Sequence, residues 1–239
     1  MATTINMLYH REYAINEVIK IAIPTVGEIV DSEDDYYNLV SAITAMPIDL
    51  MVQLDDAGID FTQINEWELF LLLFGGIMNQ DTHLIFGELD LTKFRVEQNE
   101  QNGNLILRHS ENGAVIDRAI HGQIATVLRK IHHLEKNRRK PGNDEAKKYM
   151  MERARKKMMR NKNRKESSQL ESLIIAMVNT EEFKYDFDSV RDITIYQFNE
   201  SVRQIIKKVD YEHRMNGVYA GTVDVKNLSQ DDLNWLVHK

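Results

Sequence analysis

Hydrophobic positions recur with the helical period over most of this chain and alternate like strands in two short stretches. From Tyr13 to Ile23 β-branched residues show partial two-residue alternation and stop at Pro24, which predicts a short strand over 13–23. A first helix covers the region of Tyr36 to Ile43, and a second begins near Pro47 and ends at Gly58, with Ile59 packing back over its last turn. A third opens at Asn65, whose side chain caps it while Glu68 reaches back as the other half of a capping box. Phe94–Glu97 and Leu105–Arg108 read as strands, separated by turns at Asn102-Gly103 and Asn112-Gly113, so a small antiparallel meander is expected.

Helical spacing then returns. Ile120, Ile124, Val127, Leu128, Ile131 and Leu134 predict an amphipathic helix over about 118–136. Pro141-Gly142 breaks it, and Asn143 or Asp144 caps a new helix that runs to about Asn163. That helix has a thin apolar stripe, Met150, Ala154 and Met158, with Tyr149, Met151 and Met159 beside it. Ser168 with Glu171 marks a further start, ahead of Leu170, Leu173, Ile174 and Met177, and a linker with Phe183, Tyr185 and Phe187 follows. Thr194 with Gln197 opens a helix reaching about Met215, whose face of Ile195, Phe198, Val202, Ile205, Ile206 and Val209 reads as internal core in preference to a client-binding surface. Gly217-Val218-Tyr219-Ala220-Gly221 reads as a turn, and Ser229 caps a last short helix over Asp231 to Val237, whose Leu233 and Trp235-Leu236 dock on the C-terminal unit.

The predicted fold is therefore mainly α with a small antiparallel β-meander, an α+β arrangement. It divides into an acidic helical domain at 1–117, amphipathic and basic connecting helices at 118–165, and a small helical C-terminal unit at 166–239. Composition agrees: 239 residues, 43% hydrophobic and 28% charged with 3 Pro and 11 Gly, suit a helical soluble chain large enough for a sizeable core. The longest apolar run, Leu69 to Met78, is about half the roughly 20 residues that cross a bilayer, and no membrane partner is expected. With no cysteine, no disulfide, Cys-ligated zinc or thiol nucleophile is available. The N-terminus lacks the charged start and long apolar core of a signal peptide, so a reducing cytoplasm is the expected setting.

Charge changes the picture most. Between Arg129 and Lys165 sixteen Lys and Arg meet four acids, a local +12 in a chain of net charge −7. From Glu28 to Asp90 there are 14 acids and no Lys or Arg. That acidic stretch reads either as a solvated surface or as a docking face for a basic partner, this chain's own basic stretch among the candidates. The basic stretch has three readings of its own: a solvated helix, a nucleic-acid footprint with strongly salt-dependent binding, or a helix that binds protein. Few aromatics interleave the cations and the rest of the chain would repel a polyanion, which favours protein. Methionine adapts to varied surfaces, so Met150, Arg153, Lys156, Lys157, Met158 and Arg160 are the candidate partner-binding residues.

No catalytic, cofactor or metal residue is assigned. His132-His133 are adjacent and point to different sides of a helix, where metal ligands need i,i+3 or i,i+4 spacing. No Gly-x-Ser-x-Gly elbow, P-loop or Gly-x-Gly-x-x-Gly occurs. Glu88-Leu89-Asp90-Leu91-Thr92-Lys93 offers two acids and a Lys of the kind a Mg²⁺ nuclease uses, although helix-to-strand boundary chemistry accounts for it as well.

Several blocks, in order along nearly the whole chain, resemble proteins of the tail-morphogenesis region of tailed phages and prophages of Gram-positive bacteria. They are Ile23-Pro24-Thr25-Val26-Gly27-Glu28-Ile29, Tyr36-Tyr37, Pro47-Ile48-Asp49, Leu54-Asp55-Asp56-Ala57-Gly58-Ile59-Asp60-Phe61, Phe86-Gly87-Glu88-Leu89-Asp90, Val178-Asn179, Gly217-Val218-Tyr219-Ala220-Gly221 and Leu233-Asn234-Trp235-Leu236. The resemblance implies a non-enzymatic tail assembly chaperone in the host bacterial cytoplasm, with the tape measure or tube protein as partner and a second copy as a further candidate. A nucleic-acid-binding packaging or regulatory factor using 129–165 is the alternative.

Overall fold

The N-terminal apolar stretch turns back on itself at Asn16. In a computed structural model, which describes residues 5–100, 102–161 and 168–236, helix α1 (Ile5–Tyr9) leads into β1 (Glu12–Ala14) and β2 (Lys20–Ala22), an antiparallel hairpin with Tyr13 opposite Ile21. Asn16 Oδ1 accepts the amides of Val18 at 3.0 Å and Ile19 at 2.7 Å. That side-chain-built turn splits the single strand expected over 13–23 into two. After Pro24 a capping box of Thr25 and Glu28 starts α2 (Val26–Val30), a helix the hydrophobic pattern did not announce. The same segment pairs with the C-terminal part, since the Val26 amide donates to Ile193 O at 2.9 Å and the Ile195 amide to Pro24 O at 2.8 Å.

Helix α3 (Glu33–Thr44) widens the expected 36–43, and a 3-10 turn at Pro47–Leu50 leads into α4 (Met51–Asp56). Gly58, at φ +73°, lets the Ile59 amide reach Leu54 O at 2.8 Å and closes α4 as expected. Asn65 and Glu68 form their capping box at the start of α5 (Glu66–Ile77), and the short α6 (His83–Phe86) follows. The meander is β3 (Phe94–Gln98), β4 (Leu105–His109) and β5 (Val115–Ile116), antiparallel in that order, with its turns at the two Asn-Gly pairs. Helix α7 (Arg118–Ile131), capped by Asp117, ends five residues short of 136. His133 adopts φ +52° and the Leu134 amide returns to Arg129 O at 2.8 Å, a left-handed stop made without glycine.

Helix α8 (Asp144–Asn161) starts as expected, with Asn143 Oδ1 accepting the Ala146 amide at 2.8 Å. Its expected end near Asn163, the last cations Lys162, Arg164 and Lys165, the Glu166-Ser167 link and Val237 lie outside the described residues. At the start of α9 (Gln169–Val178), Ser168 Oγ accepts the Glu171 amide at 2.7 Å and donates to Glu33 on α3 at 2.5 Å. Helix α10 (Ile195–Tyr219) carries its Thr194/Gln197 capping box. Its apolar face is core only at the start: Ile195 and Phe198 are fully buried, Val202 and Ile205 partly, and Ile206 is 56% exposed.

Two expectations at the C-terminus are corrected. Helix α10 runs through Gly217 to Tyr219, and the turn comes at Ala220-Gly221. Gly217 is needed for packing instead, because a Cβ there would sit 2.8 Å from Val223 Cγ2. The stretch 231–236 is a turn and not a helix, since Lys207 Nζ takes Asp231 O at 2.6 Å and Gln204 takes Trp235 O at 2.8 Å. These side chains lay the segment along α10, with Leu233, Trp235 and Leu236 still well exposed.

One core cluster gathers residues from Met7 to Phe198 around α7, whose Ile124, Leu128 and Ile131 are fully buried. Burial of each such side chain stabilises by about 1.5–3 kcal/mol. A smaller cluster of Ile48, Leu54, Phe61 and Leu69 forms beside α4, and Met150 and Met151 of α8 pack over it.

Candidate docking groove between a basic helix and an acidic turn

Asp55 and Asp56 fall in the last turn of α4, where the helix dipole disfavours negative charge. Their compensation comes from α8. Arg155 donates to Asp55 and Asp56, each at 2.6 Å, and Lys147 donates to Asp60 at 2.6 Å while lying 5.7 Å over the Phe61 ring. Lys147 and Arg155 are two turns apart and so share a face. The Lys147 ammonium, with the Thr62 hydroxyl and amide, holds the Asp60 carboxyl down to about 2. The two carboxylates in turn raise the Arg155 guanidinium above its ordinary value.

This seat explains the burial pattern of α8. Ala146, Lys147, Met150, Met151, Ala154 and Arg155 are half-buried at helical spacing, and no residue of the helix is fully buried. The Met150/Ala154/Met158 stripe is thereby divided. Met150 packs on the Ile48, Leu54 and Phe61 cluster and Ala154 is half-buried, while Met158 is 50% and Met159 74% exposed.

The exposed half of the stripe borders a groove of about 980 Å³ between α8, α4 and the Pro47–Leu50 turn. Its apolar lining includes Ile48, Met51, Val52, Met150 and Met158, and its cations are Arg139, Arg153, Arg155 and Lys157. Asn137 Nδ2 donates to Asp49 Oδ1 at 2.7 Å and fastens the connecting segment 132–143 to the groove's far wall. Of the candidate partner-binding residues, Met150, Arg153, Lys157 and Met158 line this groove together. Lys156 and Arg160 are exposed and do not line it; Arg160 donates to Lys156 O at 3.4 Å.

Asp90, the acid of the nuclease-like sextet, is a cap: its Oδ1 accepts the Thr92 amide at 2.9 Å and hydroxyl at 2.6 Å, while Lys93 pairs with Glu111 at 2.8 Å. Among the described residues no group of three or more His, Asp or Glu is placed to hold a metal.

Sequence reasoning missed a buried polar node. Arg129 of α7 donates to Thr44 O at 2.5 Å and to Glu66, which also receives Lys136, so α3, α5 and α7 meet on one guanidinium. Burial pushes the Glu66 carboxyl up, but Lys136 and Arg129 together more than offset it and leave it below its ordinary value. About two turns before Arg129 in the same row, buried His121 stacks 4.3 Å from Phe70 and its Nε2–H donates to Ile43 O at 3.1 Å. Tyr36 and His132 share a 2.8 Å hydrogen bond, and desolvation carries the imidazole down to about 3. His and Arg read as polar in any hydropathy pattern; the small, fully buried Ala125 between positions 121 and 129 is the only signal that this row faces inward.

Residues 161–238 match the family described as the YomV second domain. That family is phage-derived, so the C-terminal third of the chain is similar to a phage domain. Three of the blocks that resemble phage tail-morphogenesis proteins, at 178–179, 217–221 and 233–236, lie within the matched stretch, whereas the groove precedes it apart from Asn161. No curated protein and no solved structure matches the chain. Among the described residues no helix is long and apolar enough to cross a membrane.

Proposed function

We propose that this protein is a non-enzymatic phage tail assembly factor that acts in the host cytoplasm and binds another tail protein, the tape measure or tube protein, through the groove beside α8. The observation that carries this reading is the division of the methionine stripe. Its half-buried end, Met150 and Ala154, lies in the groove floor, and its exposed end, Met158, stands open beside Arg153 and Lys157, which have no ion pair among the described residues. A chaperone-like binder needs such an adaptable apolar surface together with enough charge to keep the complex soluble. The phage-derived C-terminal domain is consistent with the setting. Co-expression with the tape measure or tube protein is expected to give a co-purifying complex that Arg153→Glu and Lys157→Glu together weaken. Absence of a complex with either tail protein would overturn the reading.

A nucleic-acid-binding role is the second reading. It is favoured by Lys148, Lys156 and Arg160, which are exposed and make no salt bridge among the described residues. Filter binding to duplex DNA at low and high salt separates the two, because a phosphate-driven contact weakens steeply with salt.

A further inference from the structure

We infer that the groove beside α8 takes an amphipathic α-helix whose flanks are acidic. This deepens the tail-assembly reading and rests on the same site, but it concerns the chemistry of the occupant. The lining sets four cations, Arg139, Arg153, Arg155 and Lys157, against two acids, Asp49 and Asp56. Asp56 is paired with Arg155, and Asp49, hydrogen-bonded by the neutral Asn137, keeps its charge, whereas the three cations Arg139, Arg153 and Lys157 form no ion pair among the described residues and outnumber it. The unspent charge facing an incoming chain is positive, and it flanks a floor of aliphatic and methionine side chains. A segment with apolar residues on one face and Asp or Glu at its edges matches both features.

The backbone decides between a helical and an extended occupant. An added strand draws its affinity from main-chain hydrogen bonds along an open sheet edge. None of the lining residues lies on a strand, and the long wall is helix α8, whose interior amides and carbonyls are satisfied within the helix. An extended segment would bury its own amides without partners, at a cost that a helix, which satisfies its backbone internally, does not carry. The groove follows α8 from Met150 to Asn161, about 18 Å, so three turns of partner fill it. Met150 and Met158 stand two turns apart along it and can adapt to branched or unbranched side chains at i, i+4 and i+7.

The test uses the full chain and three synthetic helical peptides of about 12 residues. They share leucines at i, i+4 and i+7 and differ only in flanks of Glu, Lys or Gln. Fluorescence anisotropy is expected to show the Glu peptide binding at least about ten-fold tighter than the Lys peptide at low salt, the ratio shrinking at about 0.5 M salt. Arg153→Glu with Lys157→Glu should invert that preference, and Met158→Glu should weaken all three. Equal binding of the Glu and Lys peptides, no binding of any peptide, or a preference unmoved by the double substitution overturns the inference. So does a concentration-dependent dimer that Met158→Glu abolishes, because the occupant would then be a second copy. If a tail protein co-purifies but the Glu peptide does not displace it, the inference falls and the tail-assembly reading stands. If the Glu peptide binds with the stated pattern but no tail protein co-purifies, the inference stands and that reading falls.

Discussion

Helices α7 and α8 are neighbours in sequence, both bring cations to carboxylates, and they are held by opposite physics. Helix α7 buries Ile124, Leu128 and Ile131 completely and carries Arg129, 8% exposed, into a node with Glu66 and the Thr44 carbonyl. Helix α8 buries nothing fully and is held by Lys147, Arg155 and a methionine seam, its acidic partners open to water. An ion pair inside the molecule is weakly screened, and removing one member strands the other; a pair at the surface is screened and contributes little. The first arrangement fixes the core, and the second leaves a face available for exchange with a partner.

The sharpest way to break this contrast is to remove Arg129. Arg129→Met leaves Glu66, whose side chain is 14% exposed, with Lys136 as its remaining cation. The expected loss is about 1.5–3 kcal/mol in chemical denaturation, short of that for a wholly stranded charge because Lys136 remains, and part of it is recovered when Glu66→Gln is added. A loss below about 1 kcal/mol would place the node with surface pairs and erase the distinction.

Acid titration sharpens the comparison at a smaller scale. His132 is carried down to about 3 from an ordinary 6.5, so between those values the unfolded chain binds a proton that the folded chain does not. Stability therefore falls as pH drops below 6.5, by at most about 1.4 kcal/mol per pH unit for this group, with buried His121 adding to the same slope. His132→Gln should flatten that slope. Glu66 adds a separate step: its contribution is complete above the ordinary 4.5 and is lost as pH falls through its depressed folded value. Urea denaturation at a series of pH values should resolve both, the second step being absent in Glu66→Gln.

What was legible in the sequence follows the same division. Caps and breakers act locally, so the Asn65/Glu68 and Thr194/Gln197 boxes, the Gly58 stop and the Pro141-Gly142 break could be read from a few residues each. The meander was equally plain in its Asn-Gly turns. Asn16, His133 and the tail beyond Ser229 were not, because each depends on a side chain or a carbonyl meeting a partner that spacing does not reveal. In the candidate site, charge segregation marked the acidic stretch as a candidate docking face for the basic one, but only geometry separates the cations that seat α8, Lys147 and Arg155, from Arg153 and Lys157, which face the groove unpaired among the described residues. All four look alike in a run of Lys and Arg.

That separation sets the smallest effect on overall stability. Arg155 ties α8 to the end of α4, so Arg155→Glu places a third negative charge beside Asp55 and Asp56 and should loosen the helix without touching the core. Amides over 146–158 are expected to exchange about ten-fold faster, those of α7 at an unchanged rate, and the global denaturation midpoint to stay put. High salt on the unaltered protein should move α8 the same way, since its ion pairs are exposed. Met158→Ser serves as the matched control: that side chain faces the groove and not the seat, so exchange should remain as it was. If Arg155→Glu slowed nothing and sped nothing, the methionine seam over the Ile48, Leu54 and Phe61 cluster would be holding α8 by itself. If it also sped exchange in α7, the basic helix would be part of the core's cooperative unit, and the open face inferred for it would have to be sought elsewhere.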